Sequence, residues 1–211
     1  MHLWKRVLSI LIVSLAVLSA RAGTSKIVVS WKNPVYTSDA KLHHVLALGL
    51  SNRTKIRADF EDALSSQLAN LGVEATPGNA ILLRPEGSKL DLDYLKSQVR
   101  TNKFEAVVVS RLIKVDESVT RISGTPYIVP FPYYNSFYGY YGAVYPVVYS
   151  PDYLKQEIKV RIETNLYAVS SGEGQLVWVG ITDTFDPSNV DKAIDRLVKL
   201  LVKQMGKDGV L

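Results

Sequence analysis

Apolar positions recur along this chain with two different periods, and the switches between them mark out its elements. Ile27-Val28-Val29-Ser30-Trp31 reads as a short strand that Asn33-Pro34 turns off. The run from His44 to Leu50 is apolar on both faces, which predicts a strand covered on both sides and set centrally in a sheet. From a cap at Ser51 or Asn52 the period becomes helical, with Ile56, Phe60, Leu64, Leu68 and Leu71 on one stripe and Gly72 as the stop. The opposite, solvated face of that helix is expected to carry Arg57 and Glu61 at i, i+4.

Val73 to Thr76 is a short edge-strand candidate cut off by Pro77-Gly78. Ser88-x-x-Asp91 resembles a capping box for a second helix carrying Leu92, Leu95 and Val99, which ends at Thr101-Asn102. Ala106 to Ser110 reads as a buried strand whose continuation through Arg111, Ile113 and Val115 is partly solvated. Ile158, Val160, Ile162, Thr164 and Leu166 alternate with polar residues, predicting one packed and one wet face, and the loop Ser170 to Gly174 leads into a hairpin partner at Leu176 to Ile181. Pro187-Ser188 opens a third helix with Val190, Ile194, Leu197, Leu201 and Met205 on one stripe and Gly206 as its stop. The sum is an α/β fold, a mixed sheet packed with about three amphipathic helices and closed by a late antiparallel hairpin, in a single domain.

The start of the chain has another pattern. Lys5-Arg6, an apolar run from Val7 to Ala20 and the small residues of Ala20-Arg21-Ala22 read as a secretory signal peptide, residues 1–22, cleaved after Ala22. The run is too short for the roughly 20 residues of a membrane-spanning helix, and no later segment qualifies, so residues 23–211 are expected to be periplasmic or secreted with no stable transmembrane segment. Cysteine is absent, which excludes disulfides, thiolate metal sites, cysteine nucleophiles and a lipid-modified cysteine anchor. Loss of Lys5, Arg6 and Arg21 with the leader lowers the formal net charge from +5 to +2, which argues against a nucleic-acid partner.

One segment breaks all of these patterns. No charged residue lies between Arg121 and Asp152, and eight of the twelve tyrosines fall there among five prolines, which bars a regular helix. This aromatic, Tyr/Pro-rich insert at 123–151 offers Tyr127, Tyr133, Tyr134, Phe137, Tyr138, Tyr140, Tyr141, Tyr145 and Tyr149 as candidate binding residues. Three readings compete: a partner-binding surface, glycan or membrane contact through ring faces and hydroxyls, and a low-complexity insert with no single conformation.

Candidate chemistry elsewhere is sparse. His43 and His44 are adjacent on a strand and point to opposite faces, so they cannot chelate one metal, and no metal or cofactor site is expected. No nucleophile elbow, phosphate loop or zincin motif occurs. Asp59, Glu61 and Asp62, or Asp183 and Asp186, could supply paired carboxylates for glycoside hydrolysis, but read more simply as solvated faces or caps. Arg53, Lys55 and Arg57 sit in the first helix's opening turn against the dipole preference, either as a solvated basic patch or as an anion site joining the free N–H groups there. Asn52-Arg53-Thr54 is a glycosylation sequon.

The stretch Phe60 to Leu64 through Leu71-Gly72-Val73-Glu74-Ala75, and the stretch Glu163 to Tyr167 through Gly174 to Trp178, resemble bacterial cell-envelope lipoproteins whose domain is similar to the α/β domain of CsgG and the amino-terminal domain of TolB. In the first a helix ends and feeds a strand, and in the second two strands form a hairpin. The resemblance implies an envelope protein working through protein contacts, with no catalytic residues to carry over; the chain departs from the pattern in lacking the anchoring cysteine. The expectation is a non-enzymatic exported protein that binds another envelope protein through the tyrosine-rich loop. A peptidoglycan- or glycan-binding module, or a weak glycoside hydrolase using the same loop, is the alternative.

Overall fold

The structure, a computed structural model, describes residues 24–36, 42–83, 90–116, 136–139, 158–170, 172–185 and 189–211. The leader at 1–22, Ser88, Asp186 and seven of the nine candidate aromatic residues lie outside them. Strands β1 (Ser25–Lys32), β2 (His44–Leu50), β3 (Glu74–Pro77), β4 (Ala106–Asp116), β5 (Lys159–Ala168) and β6 (Gln175–Phe185) form one six-stranded sheet in the order β1-β6-β5-β4-β2-β3. β3, β2 and β4 run parallel; β4, β5, β6 and β1 pair antiparallel. The α/β mixed sheet and its late hairpin are as the periodicity predicts. β2 is interior, but it lies next to the edge strand β3 rather than at the centre, because the antiparallel half adds three strands on its other side.

Helices α1 (Thr54–Ala69) and α4 (Val190–Lys207) cover one face of this sheet, with α2 (Gly78–Ile81) as a single turn and α3 (Leu92–Thr101) completing the helical set. On the α1/α4 side, Phe60, Leu64 and Leu68 meet Ile194, Leu197 and Leu201 over Val45, Val108 and Leu166. On the other side Leu95 and Val99 of α3 pack on Leu46, Leu48, Val107 and Tyr167. Each such fully buried side chain contributes about 1.5–3 kcal/mol of burial free energy.

Local signals set the helix ends. Asp91 is the N-cap of α3, its carboxylate accepting from the Tyr94 N–H at 2.9 Å, and Asn189 does the same for α4 from Lys192 at 2.9 Å. Asp91 is therefore the capping residue itself, not the third residue of a box. After α1, Gly72 takes a left-handed φ of 79° and Val73 N–H returns to the Leu68 carbonyl, as a glycine stop requires. Leu71 lies beyond the helix and is exposed. α4 runs past Gly206, and it is Gly209, at φ 64°, that provides the left-handed turn.

Two expectations about solvated faces are corrected. Arg57 and Glu61 are buried, because this side of α1 rests on Gly49 and α2 instead of facing water. On β5, Glu163 and Asn165 are buried as deeply as Leu166, because both faces of the sheet are covered.

The antiparallel edge is locked by Trp178. Its ring is fully buried over Gly180, and its Nε1–H donates to Asp208 Oδ2 at 2.7 Å and Ser30 Oγ at 3.1 Å, tying β6 to β1 and to the end of α4. Ser30 Oγ–H also donates to Asp208. A Cβ on Gly180 would lie 2.2 Å from the Trp178 ring, so Gly180→Ala is expected to destabilise the fold by about 1–3 kcal/mol or more in denaturant unfolding. Burial works to raise the Asp208 pKa, but the hydrogen bonds from Ser30, Trp178 and Gln204 and the charge of Lys32 outweigh it and hold the carboxyl below its ordinary value. A depressed folded pKa adds stability above the unfolded value near 3.9 that is lost as pH falls through the folded one. Stability measured from pH 6 down to pH 2 should therefore fall less steeply in Asp208→Asn than in the wild type.

Candidate functional site

A concavity among the described residues opens on the α1/α4 face, between the amino-terminal parts of the two helices, whose first turns Lys55 and Asp191 bridge at 3.7 Å. It encloses about 220 Å³ above the carboxyl ends of β2 and β4 and the neighbouring part of β5. Its walls are apolar: Ile56 and Phe60 from α1, Val190, Ile194 and Leu197 from α4, and Leu112, Val160 and Ile162 from the sheet. The polar residues lining it are Ser51, Arg53, Arg57, Ser110, Arg111 and Thr184, with no carboxylate or imidazole among them.

The three cations singled out at the start of α1 divide. Lys55 is exposed and turns outward to Asp59 Oδ2 at 2.5 Å and Asp191 Oδ1 at 3.7 Å, and the Asp59 contact, with Asp191, raises its pKa against a small opposing effect of burial. Arg53 and Arg57 both line the pocket. Arg57 is only 7% exposed, and its Nε–H has no hydrogen-bond partner among the described residues. Its stem packs beside Gly49, where a Cβ would sit 3.3 Å from Phe60 and 3.4 Å from the Arg57 Cγ, at the edge of van der Waals contact. The helix start has no side-chain cap and no acidic residue in its first turn; Ser51 Oγ accepts from the Arg53 N–H at 3.1 Å, one residue before the helix.

Of the carboxylates weighed for catalysis, Asp59, Glu61, Asp62 and Asp183 lie within the described residues and are engaged elsewhere. Glu61 Oε1 accepts from Gly49 N–H at 2.9 Å and its Oε2 from Asn79 N–H at 2.7 Å, pinning α1 to β2 and α2. Asp62 accepts from the Asn79 side chain at 3.0 Å, and Asp59 takes Lys55. Asp183 receives a two-pronged contact from Arg161, at 2.7 and 2.9 Å, directly across β5 and β6. That contact, foremost, raises the Arg161 pKa. Arg111 Nε likewise donates to Glu163 at 2.6 Å across β4 and β5. These cross-strand pairs allow charge on a sheet covered on both faces. His43 and His44 diverge as expected, His43 exposed and His44 against the Phe104 ring at 4.5 Å.

Of the aromatic candidates, Phe137 and Tyr138 lie within the described residues, in a helical turn spanning 137–139. Both are buried in the α3-side core, Phe137 completely, at 5.7 Å from the Tyr167 ring and against Gly174 and Val169. Tyr138 lies under the Lys96 ammonium at 4.9 Å, and burial raises its hydroxyl pKa. In place of an exposed contact surface, these two rings form part of the core, because the α3 side of the sheet would otherwise be left open beside a single ten-residue helix. No sequence signal singled them out, because a proline-rich setting masks any periodicity and aromatic rings flank them on both sides. Tyr127, Tyr133, Tyr134, Tyr140, Tyr141, Tyr145 and Tyr149 lie outside the described residues.

No protein-family model matches the sequence, and no curated protein does either. Among solved structures the chain is similar to the PelC dodecamer of Paraburkholderia phytofirmans, at 12% identity over 85% of this chain and 95% of that one, with a TM-score of 0.42. It is also similar to the lipoprotein GNA1162 of Neisseria meningitidis, at 12% identity over 78% of this chain and 99% of that one, with a TM-score of 0.40. The functional argument therefore rests on this chain's own residues.

Because Phe137 fills the core, Phe137→Ala is expected to cost about 3–5 kcal/mol in denaturant unfolding, the loss of a buried aromatic side chain. A change below about 1 kcal/mol would place that ring outside the core.

Proposed function

We propose that the protein is an exported, non-catalytic component of the cell envelope that captures another envelope protein through the aromatic insert at 123–151. The observation that carries this reading is the docking of Phe137 and Tyr138, which ties the middle of an uncharged, tyrosine-rich segment to the hydrophobic core. A segment anchored at Asp116, at 136–139 and at Ile158 gives up less conformational freedom on binding than a free loop of the same length. Tyrosine rings then supply contact area with few rotatable bonds, which suits a protein-partner surface.

Export is supported by the leader-like segment at 1–22, and the envelope setting by the resemblance of Phe60–Ala75 and Glu163–Trp178 to CsgG- and TolB-like domains. No helix among the described residues is long and apolar enough to cross a membrane. A binding role in place of a reaction is supported by the pocket's cationic and apolar lining and by the structural engagement of Glu61 and Asp183.

Replacing Tyr127, Tyr133, Tyr134, Tyr140, Tyr141, Tyr145 and Tyr149 with serine, with Phe137 and Tyr138 kept, should leave the melting temperature near that of the wild type. The same variant should lose partner capture from envelope extract by about tenfold or more. Unchanged capture would refute the role of the insert; capture of purified peptidoglycan by the wild type, with no protein partner, would transfer it to sugar recognition.

A further inference from the structure

We infer that the pocket between the amino-terminal ends of α1 and α4 binds a single-chain amphipathic anion, a medium-chain carboxylate in the simplest case. Its hydrocarbon would lie between the helices and its head group against Arg57. This site is separate from the aromatic insert, and the inference stands whether or not the insert captures a partner.

Three independent features converge on that chemistry. The walls are almost wholly apolar, so the part of a ligand that enters them is hydrocarbon. At about 220 Å³ the space is of a size to take one hydrocarbon chain. Arg57, more than nine-tenths buried and lining the same space, holds an Nε–H with no hydrogen-bond partner among the described residues, a cost that an anionic oxygen would remove.

The charges around the pocket agree. On α1, Lys55 is drawn away from the pocket by Asp59 and Asp191. Glu61, the carboxylate one turn on, faces the N–H groups of Gly49 and Asn79. On the sheet, the charge of Arg111 is answered by Glu163. The uncapped first turn of the sixteen-residue α1, with no acidic side chain, adds backbone N–H groups and the positive end of its dipole at the same place.

The test is calorimetric titration of the purified protein with decanoate below its micelle concentration, and with 1-decanol as the uncharged counterpart. Decanoate should bind one to one, and at least about tenfold more tightly than decanol. Arg57→Met, which keeps the stem, should weaken decanoate by about tenfold and abolish the preference over decanol. Ala193→Phe, which fills the chain site from α4, should weaken both ligands, and it keeps the test decisive should the Arg57 variant fail to fold. Equal affinity for decanoate and decanol, decanoate binding unchanged by Ala193→Phe, or uptake only from phosphatidylglycerol vesicles with no monomer bound would overturn the inference.

Discussion

The organising constraint of this protein is that its sheet is covered on both faces. α1 and α4 take one side, and α3 with the Phe137-Tyr138 turn takes the other, so β2 from Val45 onward and β4 from Ala106 to Val109 are apolar, and β6 is buried along almost its whole length. A two-sided core accounts for stability without disulfides in a chain that has no cysteine. It also dictates what polar residues can do. Where charge falls within a strand, as at Arg111, Arg161, Glu163 and Asp183, it is matched by the opposite charge on the adjacent strand. Where hydroxyls meet, as at Ser110 and Thr164, they bond each other at 2.8 Å.

The same constraint locates the two features on which function turns. Among the described residues, the α3 side is covered by α3, by Leu82 and Leu90, and by a piece of the aromatic insert. Asp116 and Phe137 stand at opposite ends of the sheet: Asp116 pairs with Lys159, while Phe137 meets Gly174 beside the Ala168 end of the same strand. Nine residue steps along β5 separate those ends, about 30 Å. On the other side, a pocket lies between the amino-terminal parts of α1 and α4, with the apolar sheet as its floor and Arg57 at its wall.

Much of the fold was legible because periodicity reports burial directly. Leu64, Leu68, Leu197 and Leu201 could be placed on helix stripes, and Val107 to Val109 in a buried strand, without any structure. Gly72 was readable as a helix stop because the position requires a positive φ that glycine adopts freely. The errors share a cause. Arg57, Glu61, Glu163 and Asn165 looked solvated because a polar side chain in an alternating pattern ordinarily faces water, and only the tertiary arrangement reveals a second covering layer. Phe137 and Tyr138 looked like surface residues for the same reason, since nothing local distinguishes a ring that plugs a core from one that awaits a partner. At the candidate site the three cations of α1 were visible in sequence, but not that Lys55 alone turns outward, to Asp59 one turn on and to Asp191, more than 130 residues further along the chain.

The most direct test of this account is a two-dimensional NOE spectrum of the protein with its phenylalanine and tyrosine rings labelled. The account predicts cross-peaks from the Phe137 ring to the Tyr167 ring and to the α-protons of Gly174, together with strongly shifted Phe137 resonances. Phe137 signals at random-coil positions, with no contact to Tyr167, would contradict it: the α3 side of the sheet would then lack its second cover, and the insert its anchor.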